Sequence, residues 1–158
     1  MRNATSGGLL LGDQTLYSGV DQNSPGTAEA YRTTATASGT LANLVAYVDS
    51  GSTATSMIVG VYTNNGTHPG TLLAQGTATA PARGAWNTIA VPAAAITSGT
   101  TYWIALLAPS GTLKFRDRAC GCANPSETSF TRTLTTLPTT WTTGIVYKDA
   151  PASAYGTG

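Results

Sequence analysis

The residues best suited to chemistry lie in Leu113-Lys114-Phe115-Arg116-Asp117-Arg118, the densest polar run of the chain. In an extended backbone, side chains two apart share a face, so Leu113, Phe115 and Asp117 fall on one side and Lys114, Arg116 and Arg118 on the other. Three cations at this spacing form a stripe. Arginine forks beside a carboxylate suit sugar hydroxyls or an acidic glycan. The plainer account is a solvated strand face with Arg–Asp pairing, which also discourages edge-to-edge aggregation. Aromatic rings supply the other half of sugar recognition, because an exposed ring packs against the C–H face of a pyranose. Trp141, in Thr139-Thr140-Trp141-Thr142-Thr143-Gly144, sits among polar residues and is the leading platform candidate; its alternative role is to cap the end of a sandwich. Trp103 lies in the most apolar segment and Trp86 opens a strand, so both read as packing, and Tyr155 reads as cover for the core. Tyr62, Asn64 and Asn65 border the loop Gly66-Thr67-His68-Pro69-Gly70 and offer a second site. The expected ligand contacts are therefore Arg116, Asp117, Arg118, Trp141, Tyr62, Asn64 and His68.

Catalysis finds less support. His68 is the one histidine, and its Gly/Pro surroundings mark it as a loop residue. Neither a Gly-x-Ser-x-Gly elbow nor a His-Glu-x-x-His pair occurs. A glycosidase needs two carboxyl groups across a cleft, and of the seven acidic residues only Glu29, Asp117 and Glu127 are candidates. Glu29 alternates with Tyr31 and can point inward, where an ion pair with an arginine is expected to satisfy it. The chain is expected not to be an enzyme and to need no cofactor, with a structural calcium ion as the one exception considered. Oxygen ligands suit that ion, and Asp13, Asp21, Asn23 and Asp149 are the candidates if the terminal strands pair. Cys120-Gly121-Cys122 admits a local disulfide in a small, strained ring, two free thiols, a bond to another chain, or a weak metal pair that no second Cys pair or nearby His completes. Asn3-Ala4-Thr5 and Asn65-Gly66-Thr67 fit the glycosylation sequon.

Short strands must position all of these. No segment sustains a 3.6-residue period. Instead, alternating runs bounded by turn residues are predicted at residues 28–35, 41–48, 57–63, 72–77, 86–91, 102–107, 113–118 and 145–149. The run 102–107 is apolar on both faces and should be a central strand. Ser-Gly-Thr recurs at Ser38-Gly39-Thr40, Ser98-Gly99-Thr100 and Ser110-Gly111-Thr112, each time before a strand pattern; glycine there can supply the positive φ of a tight turn. Asn64-Asn65-Gly66 and Pro69-Gly70 mark another turn. The stretch 119–144 shows no clear strand. It reads either as a binding loop or as containing an unrecognised edge strand near residues 128–134.

Composition narrows the function classes. The 158 residues suit one domain with a two-layer core. Charged residues are only 9%, against roughly 25% in an average domain, so Thr, Ser, Asn and Gly carry solubility. A net charge of +1 cannot neutralise a run of phosphates, which argues against nucleic acid and against a polybasic membrane patch. No apolar run reaches the roughly 20 residues of a spanning helix, and the three N-terminal leucines are too few for a signal-peptide core. Residues 1–11 are read as a flexible tail or an added leader, and 12–156 as a single domain cut from a longer secreted protein.

Five segments carry a resemblance. In order they are Ala28-Glu29-Ala30-Tyr31-Arg32, Tyr47-Val48-Asp49-Ser50-Gly51-Ser52, Val59-Gly60-Val61-Tyr62-Thr63-Asn64-Asn65-Gly66, His68-Pro69-Gly70-Thr71-Leu72-Leu73-Ala74 and Gly99-Thr100-Thr101-Tyr102-Trp103-Ile104-Ala105. They resemble β-sandwich accessory modules, of carbohydrate-binding or adhesion type, appended to large bacterial secreted and surface proteins. The similarity spans residues 12–155 and brings no catalytic motif. It implies an all-β, two-sheet antiparallel sandwich, jelly-roll-like, outside the cell. The expected function is binding of a polysaccharide or glycan that anchors a larger protein to a cell surface. The alternative is a structural or adhesive module that contacts neighbouring domains or copies of itself. Nucleic-acid binding and membrane insertion are not expected.

Overall fold

The computed structural model describes residues 7–118 and 124–158. All regular structure among them is strand: β1 (Leu9–Gly12), β2 (Gly19–Asn23), β3 (Glu29–Thr34), β4 (Gly39–Val48), β5 (Ser56–Asn65), β6 (His68–Thr79), β7 (Ala85–Ile96), β8 (Thr101–Leu107), β9 (Leu113–Asp117), β10 (Ser126–Ser129), β11 (Thr143–Tyr147) and β12 (Ala154–Thr157). Two of the Ser-Gly-Thr turns work as expected, with Gly99 at φ 80° and Gly111 at φ 75°, values that a Cβ would oppose. The third does not, because Gly39 already opens β4.

All pairing between these strands is antiparallel. β5 pairs with β6, β4 with β7, β3 with β8 and β1 with β12. These nested partners are those of one long hairpin folded over itself, with successive pairs sent to alternate layers, which is the jelly-roll wind. The first sheet holds β1, β12, β4 and β7, and is extended by β9 and β2 through the contact of Val48 with Phe115. The second sheet runs β11-β10-β3-β8-β5-β6. The fold is thus an all-β, two-sheet antiparallel sandwich.

Period-2 alternation fills the space between the sheets. Leu41, Leu44, Met57, Val61, Leu106 and Phe115 are among the side chains buried there. β8 is apolar on both faces because both are covered. Its outward Trp103, Ala105 and Leu107 join Ala30, Ile58 and Tyr62 in a second cluster on the outer face of the second sheet. The chain from 130 to 142 lies over that cluster, contributing Leu137 and Trp141. Backbone hydrogen bonds from Leu72 N to Thr139 O and from Trp141 N to Gly70 O fasten it to β6.

Two boundary expectations change. Leu9 to Leu11 are not a tail: β1 pairs with β12, and Leu10 and Leu11 are core residues. Three apolar side chains are enough for an end strand, because β12 supplies the backbone partner and the core takes up Leu10 and Leu11. Within 119–144, of which 119–123 lie outside the described residues, the strand is not at an edge near 128–134. The stretch supplies β10, at Ser126–Ser129 and inside the sheet between β11 and β3, and then the packed cover of 130–142. β10 is Ser-Glu-Thr-Ser, so no hydrophobic alternation announced it.

Candidate functional site

The outer face of the first sheet carries an aromatic and cationic cluster that follows from strand parity. Leu44, Ala46 and Val48 of β4 face the core, so Val45 and Tyr47 face outward. Trp86 of β7 stands opposite Tyr47, and Tyr155 of β12 stands opposite Val45. The Tyr47 and Trp86 rings meet edge to face at 5.5 Å and 74°, and Trp86 and Tyr155 tilt together at 5.5 Å and 59°. All three rings are half-buried, so part of each remains open to solvent.

Arg116 of β9 points to the same side. Its guanidinium carbon stands 5.4 Å from the centre of the Tyr47 ring. Its Nε donates to Asp49 Oδ1 at 2.9 Å, Nη2 lies 2.8 Å from the same oxygen, and Nη1 donates to the Tyr17 carbonyl at 3.1 Å. The Gly51 N–H and the Arg116 fork hold the Asp49 carboxyl below its ordinary range. This arrangement pins the guanidinium beside the rings. The patch can pack the C–H face of a ring-shaped, hydroxylated ligand and offer hydrogen-bonding groups along its edge.

Only part of the expected constellation meets here. Alternation holds through β9: Phe115 and Asp117 are buried between the sheets, and Lys114 and Arg116 are outward. Asp117 is therefore no surface ligand contact. Arg118 lies beyond the end of β9, exposed, with its N–H on the Pro151 carbonyl.

Trp141 is not a platform. It is 6% exposed, meets Tyr62 edge to face at 5.3 Å, and donates its Nε1–H to Glu127 Oε1 at 2.8 Å. The apolar outer face of β5 and β8 draws the ring down, and a buried carboxylate satisfies its indole nitrogen. Tyr62 is fully buried, with its hydroxyl donating to Pro138 O. Asn64 Oδ1 accepts from Trp103 Nε1 at 2.9 Å and its Nδ2 donates to Gly66 O, so both of its polar ends serve the fold. His68 is half-exposed, with Nδ1 2.8 Å from Glu127 Oε2. Conversely Trp86 and Tyr155, read as packing and cover, contribute the open rings.

Glu127 and Glu29 fall on opposite faces of the second sheet, because their partners Ala30 and Thr128 are neighbours in register. They do not flank a common cleft. Glu29 points inward as expected, yet its partner is the Ser126 hydroxyl at 2.9 Å and not an arginine. The ion pairs among the described residues are His68–Glu127 and Arg116–Asp49.

A third group lies between the sheets, near the β2 edge. Carboxylate oxygens of Asp21, Asp117 and Asp149 all fall within 4.8 Å of one another. The Tyr31 hydroxyl is 2.9 Å from Asp117 Oδ2 and 3.3 Å from Asp21 Oδ2. Burial and then the Asp21 carboxylate push Asp117 well above the ordinary carboxyl range. Burial followed by the Asp21 charge raises Glu29 to about 7, and the same two causes raise Asp149. Asp13, expected in this group, is elsewhere. It accepts from the Thr15 N–H and the Tyr17 hydroxyl, and these bonds outweigh its partial burial and lower its pKa. Asn23 faces inward from β2, with no hydrogen-bond partner on its buried Nδ2. Cys120, Cys122 and Asn3 lie outside the described residues.

No protein-family pattern matches the chain, and no curated protein does. Among solved structures, the chain is similar to the structure of Eiger TNF from S. frugiperda at 15% identity, with a TM-score of 0.32. The match covers 53% of this chain and 55% of that one, so it spans about half of each. The jelly-roll assignment rests on the strand pairing described above.

Proposed function

We propose that the chain is a non-catalytic extracellular module that binds carbohydrate on the outer face of its first sheet and so anchors a larger secreted protein to a polysaccharide or cell surface. One observation carries this reading: Tyr47, Trp86 and Tyr155 form a half-open aromatic cluster beside the fixed guanidinium of Arg116. The charge-poor composition supports it too, because neutral hydroxylated polymers call for stacking and hydrogen bonds more than for ion pairing.

The test uses a property of the three tryptophans. Trp103 and Trp141 are buried and Trp86 is half-open. A polysaccharide on the proposed face should therefore shift the fluorescence of Trp86 selectively. Trp86→Ala is expected to weaken retention on soluble and insoluble polysaccharides about tenfold, a loss of roughly 1.4 kcal/mol of stacking, while the melting temperature moves little. Binding that survives Trp86→Ala combined with Arg116→Ala would place the ligand elsewhere.

A second reading draws on β11. It ends the second sheet, and Ile145, Val146 and Tyr147 are exposed along it with no charged residue in the strand. An uncharged apolar edge is a template for strand addition, and a second copy of the chain would make this an adhesive module. Sedimentation should then reveal a concentration-dependent dimer that Val146→Lys dissolves. A monomer at all concentrations removes this alternative.

A further inference from the structure

We propose that Asp21, Asp117 and Asp149 form a calcium site that ties β2, β9 and the segment after β11 together. The proposal does not depend on the carbohydrate reading. It begins with distance. An ion held at about 2.4 Å from each oxygen spans oxygens up to about 5 Å apart, and the three carboxylates meet that limit at 4.8 Å. These groups come from distant parts of the sequence, so only the sandwich brings them together.

An acidic cluster alone would not make a site, but Asp117 supplies a second observation. Its side chain is 1% exposed, and Oδ1 has no hydrogen-bond partner. Such an orphan costs a buried carboxylate heavily unless a cation or a proton meets it. Neither Asp21, Asp117 nor Asp149 has an ion pair among the described residues. Tyr31 serves Asp117 Oδ2 alone among the two oxygens and so leaves Oδ1 free. Asp21 engages Oδ1 with the Gln22 N–H, which leaves Oδ2 directed at the group.

The donor set is all oxygen, with neither imidazole nor thiolate in the group. That favours a hard cation over zinc or copper. Asp21 and Asp149 are half-buried, so the site has an open side for entry and for water ligands. Partial coordination by protein with an irregular, widely spaced trio suits calcium better than the tight octahedron of magnesium.

The test starts from the 158-residue chain treated with EGTA and passed into metal-free buffer at neutral pH. Titration calorimetry with calcium chloride should give one site with a Kd on the order of 0.1 mM. Calcium at a hundredfold excess over that Kd should raise the melting temperature by roughly 5–10 °C, and magnesium at the same concentration should do less. Terbium should bind in its place and emit on tyrosine excitation, because Tyr31 touches two of the ligands. Asp149→Asn and Asp21→Asn, both at half-exposed positions, should abolish the calcium response and the terbium emission. They also keep the test open if Asp117→Asn fails to fold. No heat, no thermal shift and no terbium emission in the wild-type protein would overturn the proposal, and would mean that shared protons neutralise the cluster. A calcium response that persists in both variants would also overturn it.

Discussion

Glu127→Ala is expected to lower the stability of the fold by roughly 3–5 kcal/mol, read from urea unfolding followed by tryptophan fluorescence. Glu127 is fully buried in β10 and is a hub. Oε1 accepts from Trp141 Nε1 and from the Thr143 hydroxyl, while Oε2 meets His68 Nδ1. Removing the carboxylate leaves the indole N–H buried without an acceptor, and Trp141 is the side chain that closes the second hydrophobic cluster. The loss should spread to the cover formed by residues 130–142, since the hub joins it to β10 and to the start of β6. Glu127→Gln keeps the volume and one acceptor but turns an amide N–H₂ toward a donor, so an intermediate loss is expected. His68→Ala should cost less than about 1 kcal/mol, because its side chain is 48% exposed and water screens the pair. A Glu127→Ala protein as stable as wild type would mean that Trp141 is held by its apolar contacts alone.

Metal-free protein is expected to lose stability as pH rises from the weakly acidic range to about 8. The sign follows from the buried carboxyls. Glu29 moves from an ordinary 4.5 to about 7 on folding, through burial and then the charge of Asp21. Asp117 and Asp149 move the same way, for the same first reason. A group with a raised folded pKa keeps its proton in the fold after the unfolded chain has released it. The folded state then binds more protons, and stability falls with pH between the two pKa values. It is fully present below the ordinary carboxyl pKa and lost above the raised one. Asp49 and Asp13 act oppositely, since their folded pKa values are lowered. Their contribution is present at neutral pH and fades as acid protonates them. The melting temperature in the presence of EGTA should therefore peak in the weakly acidic range and decline toward pH 8. Calcium should offset the decline if it occupies the aspartate cluster. A melting temperature that rises steadily from pH 5 to about 8 in EGTA would show that these carboxyls are solvated.

The β9 run shows how far local reasoning reaches. Successive side chains of a strand must point to opposite faces, so the split of Leu113, Phe115 and Asp117 from Lys114 and Arg116 followed from Leu113-Lys114-Phe115-Arg116-Asp117-Arg118 itself, whereas the burial of Asp117, expected as a ligand contact, did not. The same two-residue rule located β3, β4, β5, β8 and β9 within a few positions. It failed where the alternation is silent. β10 has no hydrophobic residue, β2 has only Val20, β12 has Ala154 and Tyr155 side by side, and β1 is an unbroken leucine run, so none of them alternates.

The tryptophans mark the opposite limit. Trp141 stands among threonines and reads as exposed, whereas Trp86 begins an alternating strand and reads as packed. The structure reverses them, because residues 130–142 fold over the second sheet, while among the described residues no such segment covers Tyr47, Trp86 and Tyr155 on the first. Which face receives a cover depends on the sum of many weak contacts between distant segments, and no neighbouring residue encodes it. The aspartate group follows the same logic: Asp21 and Asp149 were visible as oxygen donors, but the jelly-roll wind alone selects Asp117 over Asp13 as their companion. Amino-acid order by itself determined the all-β class, the turns at Gly99 and Gly111 and the facing of residues in the strands that alternate, since those depend on neighbours one or two positions away. Tertiary packing decided which outward surface stays open and which carboxylates converge, since those depend on chain segments that meet only after the sheets have formed.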